Sequence, residues 1–219
     1  MNNKDMLSSL LLHLFPKEKD EIFSFVSEEE KIFLHTCCAP CAEWPVAFMR
    51  EMGFSVSAFF YNPNIHPIKE YQRRLENVEN FARMKKLPLI TENAYMEEEW
   101  CKETWKESYS SRCDMCYSVR MDQSAHMAKE MGFRFFTTSL LVSPYQDFDA
   151  IIKAGHMAAK KEGIHFLPFD FRAGFRKGQE MAREDGLYRQ KFCGCIFSLA
   201  SSKFKEQVYA ELESYESQK

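Results

Sequence analysis

Eight cysteines stand at positions 37, 38, 41, 101, 113, 116, 193 and 195, and seven of them fall into three tight groups. LHTCCAPC carries Cys37, Cys38 and Cys41, RCDMCY carries Cys113 and Cys116, and FCGC carries Cys193 and Cys195. Thiolates grouped in this way do two kinds of chemistry. They ligate soft or borderline metals, and they exchange electrons as a dithiol and a disulfide. Structural disulfides are a poor account of the pattern in a reducing compartment, and adjacent cysteines such as Cys37 and Cys38 rarely pair. Cys101, outside the groups, reads as a small buried side chain.

Two metal readings stay open on spacing alone. Cys38 with Cys41 and Cys113 with Cys116 are C-x2-C pairs that suit a structural zinc. That leaves Cys37, Cys193 and Cys195 without a task. An iron–sulfur cluster takes four thiolates, and a cluster beside a separate dithiol or metal uses all seven, so counting favours it. Radical chemistry of the C-x3-C-x2-C type is excluded, because the third position is Trp44. In FCGC only Gly194 separates the thiols. The pair can close into a labile disulfide or bind one metal through both thiolates.

These groups need a frame. Apolar, β-prone runs at 31–36, 54–62, 87–95, 133–144 and 164–171 alternate with helical patterns at 45–53, 69–87, 97–109, 110–132, 147–163 and 174–186. A last helix follows FCGC. Alternation of this kind predicts an α/β fold with a mostly parallel open sheet and flanking helices. Ligands bind such sheets beyond the carboxyl ends of the strands, where the first cysteine group falls. The chain divides into an acidic helical extension at 1–30 and a single α/β catalytic domain at 31–219. The extension carries Lys4, Lys17 and Lys19 against seven acidic residues.

Composition narrows the class further. A hydrophobic fraction of 45% with 28% charged residues is that of a globular chain. A net charge of −3 does not support a global electrostatic grip on nucleic acid and leaves a local one open. No apolar run is long enough for a membrane span, and the start lacks a basic leader and a cleavage site, so a cytoplasmic protein is expected. No G-x-G-x-x-G or P-loop pattern is present.

The three motifs in this order, from about Lys31 to about Ser202, resemble the QueH-type epoxyqueuosine reductases. That resemblance implies reduction of epoxyqueuosine to queuosine at the tRNA wobble position, the last step in making that base. It implies a 4Fe–4S cluster on Cys37, Cys38, Cys113 and Cys116. It further implies that Cys193 and Cys195 are a redox-active dithiol or ligands of a second mononuclear metal, iron or zinc. Cys41 is left to either metal or to neither. The family's fold resembles that of nucleotide-binding tRNA-thiolating enzymes, but TCCAPCA replaces their phosphate loop, so ATP use is not implied. The alternatives are a tRNA sulfur-transfer enzyme and a structural zinc-binding module.

Opening an epoxide and expelling its oxygen requires two electrons and two protons. His35, Asp114, Tyr117 and Tyr188 are the proton-donor candidates near the motifs. Residues 171–191 carry six basic and three acidic side chains, with Phe171, Phe175 and Tyr188 interleaved. Arg172, Arg176, Lys177, Arg189 and Lys191 are therefore candidates for gripping the tRNA anticodon loop, and residues 61–67 form a second candidate border. The electron donor has no signature in the sequence.

Overall fold

The structure, a computed structural model, describes residues 30–102 and 106–216. The acidic extension therefore lies outside the described residues except for Glu30. Five strands form one parallel sheet in the order β3-β2-β1-β4-β5. They are β1 (Lys31–His35), β2 (Ser55–Phe60), β3 (Leu89–Thr91), β4 (Phe135–Thr138) and β5 (His165–Phe166). Ile32, Phe33, Leu34 and His35 of β1 are all fully buried. A strand covered on both faces cannot alternate polar and apolar residues, so β1 reads as a continuous apolar run.

The main helices are α1 (Ala39–Glu51), α2 (Ile68–Met84), α3 (Glu97–Cys101), α4 (Arg112–Glu130), α5 (Phe148–Glu162), α6 (Phe175–Glu184), α7 (Ile196–Ala200) and α8 (Lys205–Glu216). Helices α1 and α6 pack together, as do α4 and α5. Their termini are specified locally. The Ser111 hydroxyl accepts from Asp114 N–H at the start of α4, and the Asp147 carboxylate accepts from Ala150 N–H at the start of α5. Gly163 ends α5 in the left-handed conformation.

Several boundaries differ from expectation. Helix α1 begins at Ala39 rather than Pro45. Pro40 sits in the first turn, where a missing N–H costs nothing, and Pro45 lies inside the helix. The stretch 97–109 is not one helix: α3 stops at Cys101, and Cys101 is exposed, not buried. Strand β5 holds only two residues, and the C-terminal segment forms two helices, α7 and α8.

The α1–α6 contact is close enough to be tested. A Cβ built on Gly174 would collide with the Trp44 indole. Its backbone is right-handed, with φ −93°, so the obstacle is contact rather than strain. Gly174→Ala is expected to cost about 1–3 kcal/mol by displacing Trp44, read as a lower urea midpoint at unchanged slope.

Candidate active site

The strand order reverses beside β1, where β2 continues to one side and β4 to the other. Cys37 and Cys38 follow β1 at this switch point, and Ser139 follows β4. The Cys37 N–H donates to Ser139 Oγ at 3.0 Å, and the Ser139 hydroxyl donates to Cys37 Sγ at 3.4 Å. Cys38 is the N-cap of α1 and Cys41 lies in its first turn. The helix thus folds the first group back on itself. The Cys37, Cys38 and Cys41 sulfurs all lie within 4.8 Å of one another, with Cys37 and Cys38 3.7 Å apart.

Three thiols this close do not ionise together. Hydrogen bonds from Cys38 and Cys41 hold the Cys37 thiol well below the ordinary range, with Ser139 and the Arg120 cation assisting. Burial and the bond to Cys37 push Cys38 up, and the Arg74 cation opposes them. Cys41 is raised chiefly by its hydrogen bonds to Cys37 and Cys38. Gln190, from the loop before the third cysteine group, donates from Nε2 to Cys38 Sγ at 2.7 Å.

The second group sits at the start of α4. Cys113 is exposed toward the cleft and Cys116 is buried one turn on. Arg120, another turn along, is itself buried. It donates from Nη2 to Cys116 Sγ at 2.7 Å and from Nη1 to Asn62 Oδ1 at 3.4 Å. Burial pushes the Cys116 thiol up to about 12, against the pull of Arg120.

The third group is held from behind. Arg74 of α2 donates to the carbonyls of Cys193 and Phe192, each at 3.0 Å, and pairs with the fully buried Glu70 at 2.6 Å. Gly194 between the thiols has φ +115° and accepts at its carbonyl from His66 N–H at 2.9 Å. A Cβ there would meet Ile65 at 2.9 Å and Arg74 Nη1 at 3.1 Å. Glycine is therefore required both by conformation and by space. Cys193 is exposed and Cys195 half-buried against Trp100 and Cys116.

All three groups meet in one cleft of about 490 Å³, lined by Cys37, Cys41, Cys113 and Cys193 together with Tyr117, Tyr145, Phe175 and Gln190. The donor set fits a thiolate-bound metal. The Cys37, Cys38 and Cys41 sulfurs converge, the Cys37 thiol is held well below its ordinary range, and the buried Arg120 guanidinium donates to Cys116 Sγ.

Of the proton-donor candidates, Tyr117 alone lines this cleft. Its hydroxyl donates to Gln146 Oε1 at 2.8 Å. His35 is committed to the fold, with Nε2–H donating to Tyr61 O at 3.2 Å and Nδ1 accepting from the Thr138 hydroxyl at 2.8 Å. Burial lowers its pKa to about 3, so it stays neutral. Asp114 accepts from Ser110, and Tyr188 donates to Glu70.

The basic segment is dispersed in the same way. Phe171 is core, Arg172 pairs with Asp170, Lys191 with Glu211, and Lys177 lies over Trp44. Arg189 bonds Gln179, and Arg176 is exposed.

A parallel sheet that gathers thiols from three loops at its switch point defines a doubly wound α/β protein of thiol-dependent redox or metal chemistry. Within that class the match is specific. Residues 32–201 fit the family described as Epoxyqueuosine reductase QueH, and the chain belongs to that family. A QueH epoxyqueuosine reductase of Dehalococcoides mccartyi is 35% identical over 168 residues, which span 77% of this chain and 92% of the relative. That of Thermotoga maritima is 34% identical over 183 residues, 80% of this chain and 93% of the relative. Among solved structures, the U34-tRNA thiolase NcsA from Methanococcus maripaludis with its 4Fe–4S cluster aligns with 99% of this chain and 74% of its own, at a TM-score of 0.52 and 11% identity. That likeness is one of fold. No described helix is long and apolar enough to cross a membrane.

Proposed function

We propose that this chain reduces epoxyqueuosine to queuosine in the wobble position of tRNA. The observation that carries this reading is the meeting of all three cysteine groups in one cleft of a QueH-family chain. Cys37, Cys38, Cys113 and Cys116 are proposed to hold a 4Fe–4S cluster, with Cys41 at its edge and a second iron or zinc as a further option. A cluster of this kind supplies single electrons when bound.

The chain's own residues supply the rest. The Cys193 and Cys195 thiols close to a disulfide, giving up two electrons and two protons. Both C–O bonds of the epoxide break, a carbon–carbon double bond forms, and the oxygen leaves as water with those two protons. An external reductant then reopens the disulfide with two electrons and two protons. Because the dithiol brings its own protons, no separate acid is needed for balance. Tyr117 helps shape the cleft wall and fixes Gln146.

Anaerobic purification followed by a visible spectrum and iron, sulfide and zinc analysis tests the cofactor. A brown protein with near-stoichiometric iron and sulfide is the expected result, followed by turnover of tRNA carrying epoxyqueuosine. Colourless protein with one zinc and no sulfide, even after cluster reconstitution, would withdraw the reductase reading.

A further inference from the structure

Tyr145 is 83% exposed, far more than any other large apolar side chain among the described residues. Single exposed aromatics are ordinary on a protein surface. This one lines the same cleft as Cys37, Cys113 and Cys193. Its ring stands against Phe175 at 5.9 Å between centroids and 84° between planes. An edge-to-face pair at that exposure leaves one aromatic face open at the rim.

The loop that presents Tyr145 is fastened. Tyr145 N–H donates to Ser143 Oγ at 3.2 Å. The Tyr117 hydroxyl donates to Gln146 Oε1 and accepts from Asp147 N–H at 3.3 Å. Asp147 in turn caps α5. A ring carried on such a loop loses little freedom when something stacks on it. One residue beyond Phe175, Arg176 is exposed and has no ion-pair partner among the described residues, unlike Arg172 and Lys191.

We propose that Tyr145 and Phe175 form a stacking platform for an unpaired nucleobase next to the one being reduced, with Arg176 taking a neighbouring phosphate. The proposal rests on the tRNA-base reading of the substrate. A base that reaches Cys193 must leave its stack, and its neighbour then exposes a π-face at the rim. An open aromatic face, with an exposed cation one residue along the chain from its partner ring, offers the stacking and phosphate contacts that single-stranded nucleic acid requires.

The test uses the anaerobically isolated full chain, tRNA carrying epoxyqueuosine, and a fluorescent anticodon stem-loop RNA. Tyr145→Ala is expected to weaken stem-loop binding and raise KM about tenfold, within the range seen for stacking aromatics, while kcat stays within about threefold. Tyr145→Trp keeps the platform and restores KM. Arg176→Gln weakens binding at low salt and lowers the salt slope by about one. Unchanged Kd and KM in Tyr145→Ala, or a loss confined to kcat, overturns the platform. If the wild-type chain fails to reduce the tRNA, the reductase reading falls, and the binding series still decides whether the platform exists.

Discussion

Serine in place of Cys193 or of Cys195 is expected to abolish reduction of epoxyqueuosine-containing tRNA, by at least about a thousandfold, while iron and sulfide content survive. The argument is one of electrons and place. Cys193 lines the cleft and Cys195 is half-buried against Trp100 and Cys116, with a single glycine between them. That glycine occupies a left-handed conformation that no other residue adopts without strain, so the turn between the two cysteines is built into the chain. Serine preserves the size and much of the hydrogen bonding of cysteine but cannot form a disulfide. Loss of either partner therefore stops a two-electron step without emptying the cleft. A readout independent of turnover comes from alkylation. The reduced wild type should lose two alkylatable thiols and the mass of two hydrogens after one oxidation, and neither single variant should. Both single variants turning over at wild-type rates would end this role for the pair.

The same site shows what a sequence carries openly and what it hides. The cysteine groups are legible because their chemistry is local and their spacing unusual. The alternation of strands and helices is legible because β1 and β4 are buried on both faces and the long helices keep apolar faces. The failures have local causes. Residues 167–171 look like a continuation of β5, being apolar. Phe169 and Phe171 instead pack edge-on against Phe48 of α1, and their N–H groups donate to the residue two before. Burial is achieved there without strand pairing. Arg120 is marked only by helical periodicity, since it follows Cys116 by four residues and Cys113 by seven, on one face of α4. Gln190, Ser139 and Arg74 carry no signal at all. Each is an ordinary polar residue until the sheet brings β4 and α2 beside the cysteines. Tyr145 is likewise silent in sequence, because exposure is a property of the folded loop.

Arg74→Met is expected to destabilise the chain by about 3–5 kcal/mol, because it strips the partner from a buried charge. Arg74 and Glu70 are 2% and 0% exposed, and their 2.6 Å contact lies one helical turn apart on α2. Removing the guanidinium leaves Glu70 in the interior with, among the described residues, only the Tyr188 hydroxyl, at 3.0 Å, to share its charge. It also orphans the carbonyls of Phe192 and Cys193. The methionine fills most of the volume, so the loss reports electrostatics and hydrogen bonding rather than a cavity. For a chain of this size each kcal/mol corresponds to about 2–4 °C in Tm, so the shift is readily measured. Because stabilities of domains are about 5–15 kcal/mol in all, the variant should still fold at low temperature. The double variant Glu70→Gln with Arg74→Met tests the cause: with the buried charge gone, it should recover part of the loss, and the coupling should appear as non-additivity. A single-variant cost below about 1 kcal/mol would mean that water reaches Glu70 and that the pair is not the buried device described. The loop carbonyls make the consequence functional as well. With Arg74 gone, nothing from α2 holds Cys193 in place, and its alkylation in the folded protein should accelerate even where the fold survives.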